Sequence, residues 1–126
     1  DGIAELSRAL REAAARGLAV TVQGARTGIS GGAVPDGGVI VSLTKMDRIL
    51  GLRTDEAGRA FLRVQPGVPL ITLRRYLVTA ERAGGLSGAL IFPPDPTETA
   101  ASLGGMAACN ASGAGWTGSS RPGTST

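Results

Sequence analysis

Apolar residues recur at helical spacing at Ile3, Leu6, Leu10 and Ala13, with arginines and glutamates between them, which predicts an amphipathic helix of about four turns. Gly17 is placed to stop it. Residues 18–22 (Leu-Ala-Val-Thr-Val) read as a strand and lead into a glycine-rich loop. Residues 39–43 form a short apolar run, expected to be a strand covered on both faces. After a connector at residues 46–48, residues 49–53 and 60–65 flank the turn cluster Asp55-Glu-Ala-Gly58, which is a β-hairpin signal. Pro66 and Gly67 end the hairpin. Leu70, Leu73, Leu77 and Ala80 mark a second helix, with Arg74, Arg75, Glu81 and Arg82 towards its polar side and Gly84-Gly85 as its stop. Pro93-Pro-Asp-Pro96 excludes helix and central strand. Thr97-Glu-Thr99 is placed to cap a short helix over residues 100–105. There is no internal repeat, and the alternation of helix and strand implies an α/β or α+β domain.

Composition narrows the function. At 126 residues the chain is one domain at most. Its net charge is only +3, and aromatic residues make up 3%, leaving no stacking platform for single-stranded nucleic acid. The basic residues are scattered, with only Arg74 and Arg75 adjacent, so the composition argues against nucleic-acid binding. No apolar run approaches the roughly 18–20 residues of a membrane span. Histidine is absent, which removes histidine metal sites and general bases. The single cysteine, Cys109, excludes an internal disulfide. It stands in Met-Ala-Ala-Cys-Asn, a run of small apolar residues that predicts a buried, inert thiol. Glycine is the outlier: 20 residues of 126, against an average of roughly 7%.

The sharpest glycine cluster is Gln23-Gly-Ala-Arg-Thr-Gly-Ile-Ser-Gly-Gly-Ala-Val-Pro35. Glycine admits positive φ and close approach of another group, so successive N–H groups can form an anion nest. Thr27 and Ser30 add hydroxyl donors, and Arg26 adds a fixed charge suited to phosphate. A Walker loop would need a lysine before Ser/Thr. A Rossmann loop would open a helix, whereas this one is followed by a strand. From the residues alone, a plain glycine turn and an anion site both stay open.

The second cluster runs from Phe92 to Gly113. Three prolines (93, 94 and 96) form a rigid wall, and Ser102-Leu-Gly-Gly105 and Asn110-Ala-Ser-Gly113 set small polar groups beside glycines. Small side chains let a bulky ligand lie on the backbone, and equally let helices pack closely. Asp95 and Glu98 do not make a convincing acid/base pair, and proline shapes Asp95 as a turn residue.

Taken together, the two clusters resemble the FAD-binding domain of FAD-linked oxidases of the vanillyl-alcohol oxidase / p-cresol methylhydroxylase superfamily, most closely its glycolate oxidase / D-lactate dehydrogenase branch. The motifs are Gly24-x-x-Thr-Gly-x-Ser-Gly-Gly-Ala-x-Pro35, Val64-x-Pro-Gly-Val68, Pro93-Pro-Asp-Pro96, Ser102-Leu-Gly-Gly105 and Asn110-Ala-Ser-Gly113. The resemblance implies an α+β fold, an incomplete FAD-binding type 2 (PCMH-like) domain with a small sheet and flanking helices. It assigns residues 1–113 to the N-terminal portion of that domain. Residues 114–126, rich in turn formers, read as a flexible tail or the truncated start of a second subdomain. The first residue is Asp1 and no signal segment is evident; both ends read as cut from a longer protein.

By the same resemblance the cofactor is non-covalent FAD. Gly24, Ala25, Arg26, Thr27, Gly28, Ile29, Ser30 and Gly31 would hold its pyrophosphate, and Gly32 would let the chain pass. Pro94 and Asp95 would line the flavin side. Ser102, Gly104, Gly105, Asn110, Ser112 and Gly113 would contact the flavin or its ribityl chain. Arg26 departs from this branch, which often has glycine there. The implied protein oxidises a small 2-hydroxy acid by hydride transfer to flavin, with a quinone or an electron-acceptor subunit as partner, and sits in the cytoplasm or peripherally on a membrane. Its catalytic residues would lie outside this stretch. The alternative is a non-catalytic nucleotide- or anion-binding domain, or a degenerate fragment.

Overall fold

A computed structural model describes residues 2–83, Phe92 and residues 98–111. Helix α1 (Gly2–Ala15) follows the predicted spacing. It closes in a Schellman turn: Gly17, at φ 63°, donates to the Ala14 carbonyl and Leu18 to that of Ala13. Ala13 is its one buried residue; Ile3 and Leu10 remain exposed.

Strand β1 (Val20–Gln23) pairs in parallel with β2 (Val39–Ser42), Val20 opposite Val39 and Gln23 opposite Ser42. Parallel neighbours need a crossover of a dozen or more residues, usually a helix. Here the crossover is the glycine loop. The expectation that β2 is covered on both faces does not hold: Val39 and Val41 are half-buried, while Ile40 and Ser42 are exposed. Among the described residues this sheet has two strands, and neither face is fully covered: on β1 Thr21 and Gln23 are half-buried on one face and Val20 on the other, where Val22 is exposed.

Strands β3 (Ile49–Thr54) and β4 (Ala60–Val64) form the predicted hairpin, antiparallel, with an irregularity between Ile49 and Gly51. The Asp55 carboxylate organises the turn, accepting from the N–H groups of Ala57 (3.1 Å) and Arg59 (2.8 Å) and pairing with Arg59 Nε at 2.6 Å. Those bonds, the Arg59 backbone first and its side chain second, hold the Asp55 carboxyl below its ordinary value of 3.8.

Helix α2 (Leu70–Arg82) supplies the core, burying Leu70, Leu73 and Leu77 against Ala101 and Met106, with Leu62 of β4, Tyr76, Phe92, Leu103 and Ala111 packed around them. Its first residues have no side-chain cap, because Pro69 is the N-cap. The orphan donors are satisfied from a distance: Leu70 N–H donates to the Ala101 carbonyl (2.9 Å) and Ile71 N–H to Thr99 (3.0 Å). This corrects the expected third helix. Residues 99–101 are committed to the first turn of α2, so α3 starts later (Leu103–Ala108), capped by Ser102 and not by Thr97-Glu-Thr99. Gly84 and Gly85, the Pro93–Pro96 motif and the tail beyond residue 111 lie outside the described residues.

Candidate functional site

The glycine loop is held at its neck and displayed at its tip. Gln23 Nε2 donates to the Ala33 carbonyl (2.7 Å), closing residues 24–32 into a compact loop. Beyond that clasp, Gly28, Ile29, Ser30, Gly31 and Gly32 are exposed, Ile29 completely. A Cβ placed on Gly28, Gly31 or Gly32 would meet nothing within 4 Å among the described residues, which leave the space over the loop open. None of the backbone N–H groups of residues 26–33 donates to a backbone or side-chain acceptor among the described residues. Arg26 is the one charged residue between Gly24 and Pro35, and it is exposed. Positive φ falls on Arg26 (60°) and Gly31 (77°), not on Gly28. For arginine that conformation is uncommon and costs roughly 1–2 kcal/mol. The donor set is therefore a row of unengaged N–H groups, two hydroxyls (Thr27 half-buried, Ser30 exposed) and one guanidinium. That is the chemistry of a phosphate or pyrophosphate cradle.

The second cluster reaches this loop through Ser102. Ser102 is 4% exposed, and its Oγ accepts from the N–H of Gly105 (3.3 Å) as the α3 N-cap and, over 3.4 Å, from the N–H of Ala25. Gly24 lies so close that a Cβ on it would overlap the Ser102 hydroxyl. Two segments more than seventy residues apart thus meet at one side chain.

Behind Ser102 the backbone is fixed on its far side. Gly104 N–H donates to the Pro66 carbonyl (2.8 Å), Leu103 N–H to Val68 (2.9 Å), and Ser102 bridges to Pro69. A Cβ on Gly104 would come within 2.6 Å of Pro66 Cβ. Gly104 is therefore a packing glycine against the Pro66-Gly67 corner, while Gly105 is exposed. Asn110 closes α3: at φ 47° it occupies the left-handed position of a second Schellman turn. Its N–H donates to Ala107, and that of Ala111 to Met106.

Cys109, expected to be buried, is exposed. It is the C-cap residue of α3, and the Schellman turn directs Ala111, not Cys109, towards the core. Of the sequence-derived site residues, Pro94, Asp95, Ser112 and Gly113 lie outside the described residues. Sequence reasoning missed the Gln23 clasp; the signal available was a polar residue ending an apolar strand immediately before the glycines.

A concavity of about 540 Å³ lies elsewhere, on the hairpin, between residues 50–53 and 61–63. Its outer wall is Phe61, with the guanidinium groups of Arg53 and Arg59 over the ring at 5.8 and 5.9 Å. Among the described residues no three metal-ligating side chains cluster, and no helix is long and apolar enough to cross a membrane.

The displayed loop and the capped helix that meets it at Ser102 offer donors suited to an anionic group, on a parallel β–loop–β unit and not the β–loop–α unit of a Rossmann fold. The comparisons agree. The FAD binding domain family matches residues 1–121, and the chain belongs to that family; its cofactor is FAD. It is 44% identical over 97 residues to a D-lactate dehydrogenase of Anaerostipes hadrus, covering 76% of this chain and 18% of that protein. It is 37% identical over 110 residues to a D-lactate dehydrogenase of Archaeoglobus fulgidus, covering 86% and 22%. An FAD-linked oxidoreductase of Mycobacterium tuberculosis is 34% identical over 110 residues, again covering 86% and 22%. The chain thus spans about a fifth of the length of these relatives. No solved structure matches it.

Proposed function

We propose that this domain binds FAD for an oxidoreductase acting on a small 2-hydroxy acid, with D-lactate favoured over glycolate. The observation that carries the reading is the displayed loop, with its unengaged N–H groups and Arg26, fastened to α3 at Ser102. The names of the two D-lactate dehydrogenase relatives support the substrate class. In this reading the backbone of residues 24–32 holds the pyrophosphate, Arg26 adds charge, and Thr27 and Ser30 donate hydroxyl bonds. Gly105 and Asn110 face the flavin or ribityl end, and Pro94, Asp95, Ser112 and Gly113 complete that side. When bound, FAD supplies the acceptor for the hydride from the substrate α-carbon. The electrons then pass to a quinone or an electron-acceptor subunit. The chain's own residues bind and orient; the groups that hold substrate and take its proton lie outside it.

The test is dye reduction by the whole protein with D-lactate, L-lactate and glycolate. Turnover with D-lactate above the other two is expected, and none from the 126-residue chain supplied with FAD. Flavin binding without oxidation of any 2-hydroxy acid would overturn the substrate assignment. Failure to bind FAD would overturn the whole reading and favour a degenerate domain.

A further inference from the structure

We infer that Ser102 is a positioning residue that sets the cofactor loop through Gly24 and Ala25, and not a cofactor ligand. The inference rests on the FAD reading above and deepens it.

Three observations carry it. First, both acceptor positions of the Ser102 hydroxyl are taken, by the N–H groups of Gly105 and Ala25, which leaves only its O–H. At 4% exposure the side chain presents almost nothing to a ligand in the open space over the loop. Second, among the described residues the loop is anchored only at its base. Ala25 is tied to Ser102 and Ala33 to Gln23, while nothing lies within 4 Å of a Cβ on Gly28, Gly31 or Gly32. Third, the residue after Ala25 is Arg26, held at φ 60°. A non-glycine residue stays there only when its surroundings impose it, and the adjacent constraint is the Ala25–Ser102 bond. Ser102 is itself immobile, because Leu103 and Gly104 are bonded to Val68 and Pro66. The rigid corner of the domain thus passes its position to the loop through one hydroxyl. The loop meets its anion already shaped, so less ordering entropy is lost on binding.

Gly24 makes the idea testable by the sign of a coupling. A methyl at residue 24 overlaps Ser102 Oγ, but without that oxygen its nearest Ser102 neighbour is Cβ, at 3.4 Å, an ordinary contact. FAD affinity is measured by flavin fluorescence titration of the full chain carrying Ser102→Ala, Gly24→Ala or both. Ser102→Ala is expected to weaken binding about tenfold, the size of one lost hydrogen bond. Gly24→Ala should weaken it more, and the double variant should bind more tightly than Gly24→Ala alone. A double variant no better than Gly24→Ala would overturn the inference, since it would show that residue 24 and the Ser102 hydroxyl do not meet as the positioning requires.

Hydrogen exchange without flavin supplies the second readout. Ser102→Ala should speed exchange of the Ala25 N–H, the amide bonded to Ser102. Unchanged exchange there would also overturn the anchoring, whereas faster exchange in Ser102→Ala, with a wild type that binds no FAD, would leave the anchor standing and refute only the cofactor reading.

Discussion

Replacing Gly28 with valine separates the loop's role in binding from its role in folding. Gly28 is not in the left-handed region, and a Cβ there meets nothing within 4 Å. The substitution therefore neither strains the backbone nor disturbs packing. Its cost to stability should stay within the roughly 0.5 kcal/mol of an unremarkable surface change. The same open space is where the pyrophosphate is proposed to lie, and a branched side chain projecting into it displaces at least one phosphate contact. A charge-assisted hydrogen bond contributes about 1.5–3 kcal/mol, so FAD affinity should fall about 10- to 150-fold. Thermal melting without flavin and fluorescence titration with it read the two effects separately. Unchanged affinity would refute the placement of the phosphate. A large fall in melting temperature without flavin would refute the claim that the tip is free of packing.

Other changes test other parts of the account. Arg26→Ala should weaken FAD binding by about 1–3 kcal/mol through loss of a charge-assisted contact, the gap to wild type narrowing as salt rises in the titration. The flavin should be non-covalent: the chain has no histidine to form a histidyl bond, so acid precipitation should leave all the yellow colour in the supernatant, and flavin mass on the peptide of the exposed Cys109 would contradict this. Asp55, whose folded pKa is depressed, contributes stability that is present above its unfolded value near 4 and is lost as pH falls through the folded value. Asp55→Asn should therefore lower the melting temperature at pH 7 and flatten its decline below about pH 4, as followed by circular dichroism.

The local elements were legible because their signals are local. The stripe from Ile3 to Ala13, the turn chemistry of Asp55 to Gly58 and the leucines of α2 need no distant partner to be read. The third helix was misplaced because what decides its start is remote: the Thr99 and Ala101 carbonyls are taken by the first turn of α2, and no local propensity announces that. Cys109 was misread for a related reason. Its neighbours have a core-like composition, but the Schellman turn at Asn110 decides which residue faces inward. The candidate site was legible as two motifs through their resemblance to a family. Neither motif revealed that Ser102 would serve as their junction, because that depends on the close approach of Gly24 across the fold.

The central claim is that residues 24–32 hold the pyrophosphate of FAD. Hydrogen–deuterium exchange of the whole protein, with and without FAD, tests it most directly. The N–H groups of residues 26–33, unengaged among the described residues, should become strongly protected when FAD is added, while the hairpin over residues 50–63 changes little. Protection confined to the hairpin, with none over residues 24–33, would contradict the account.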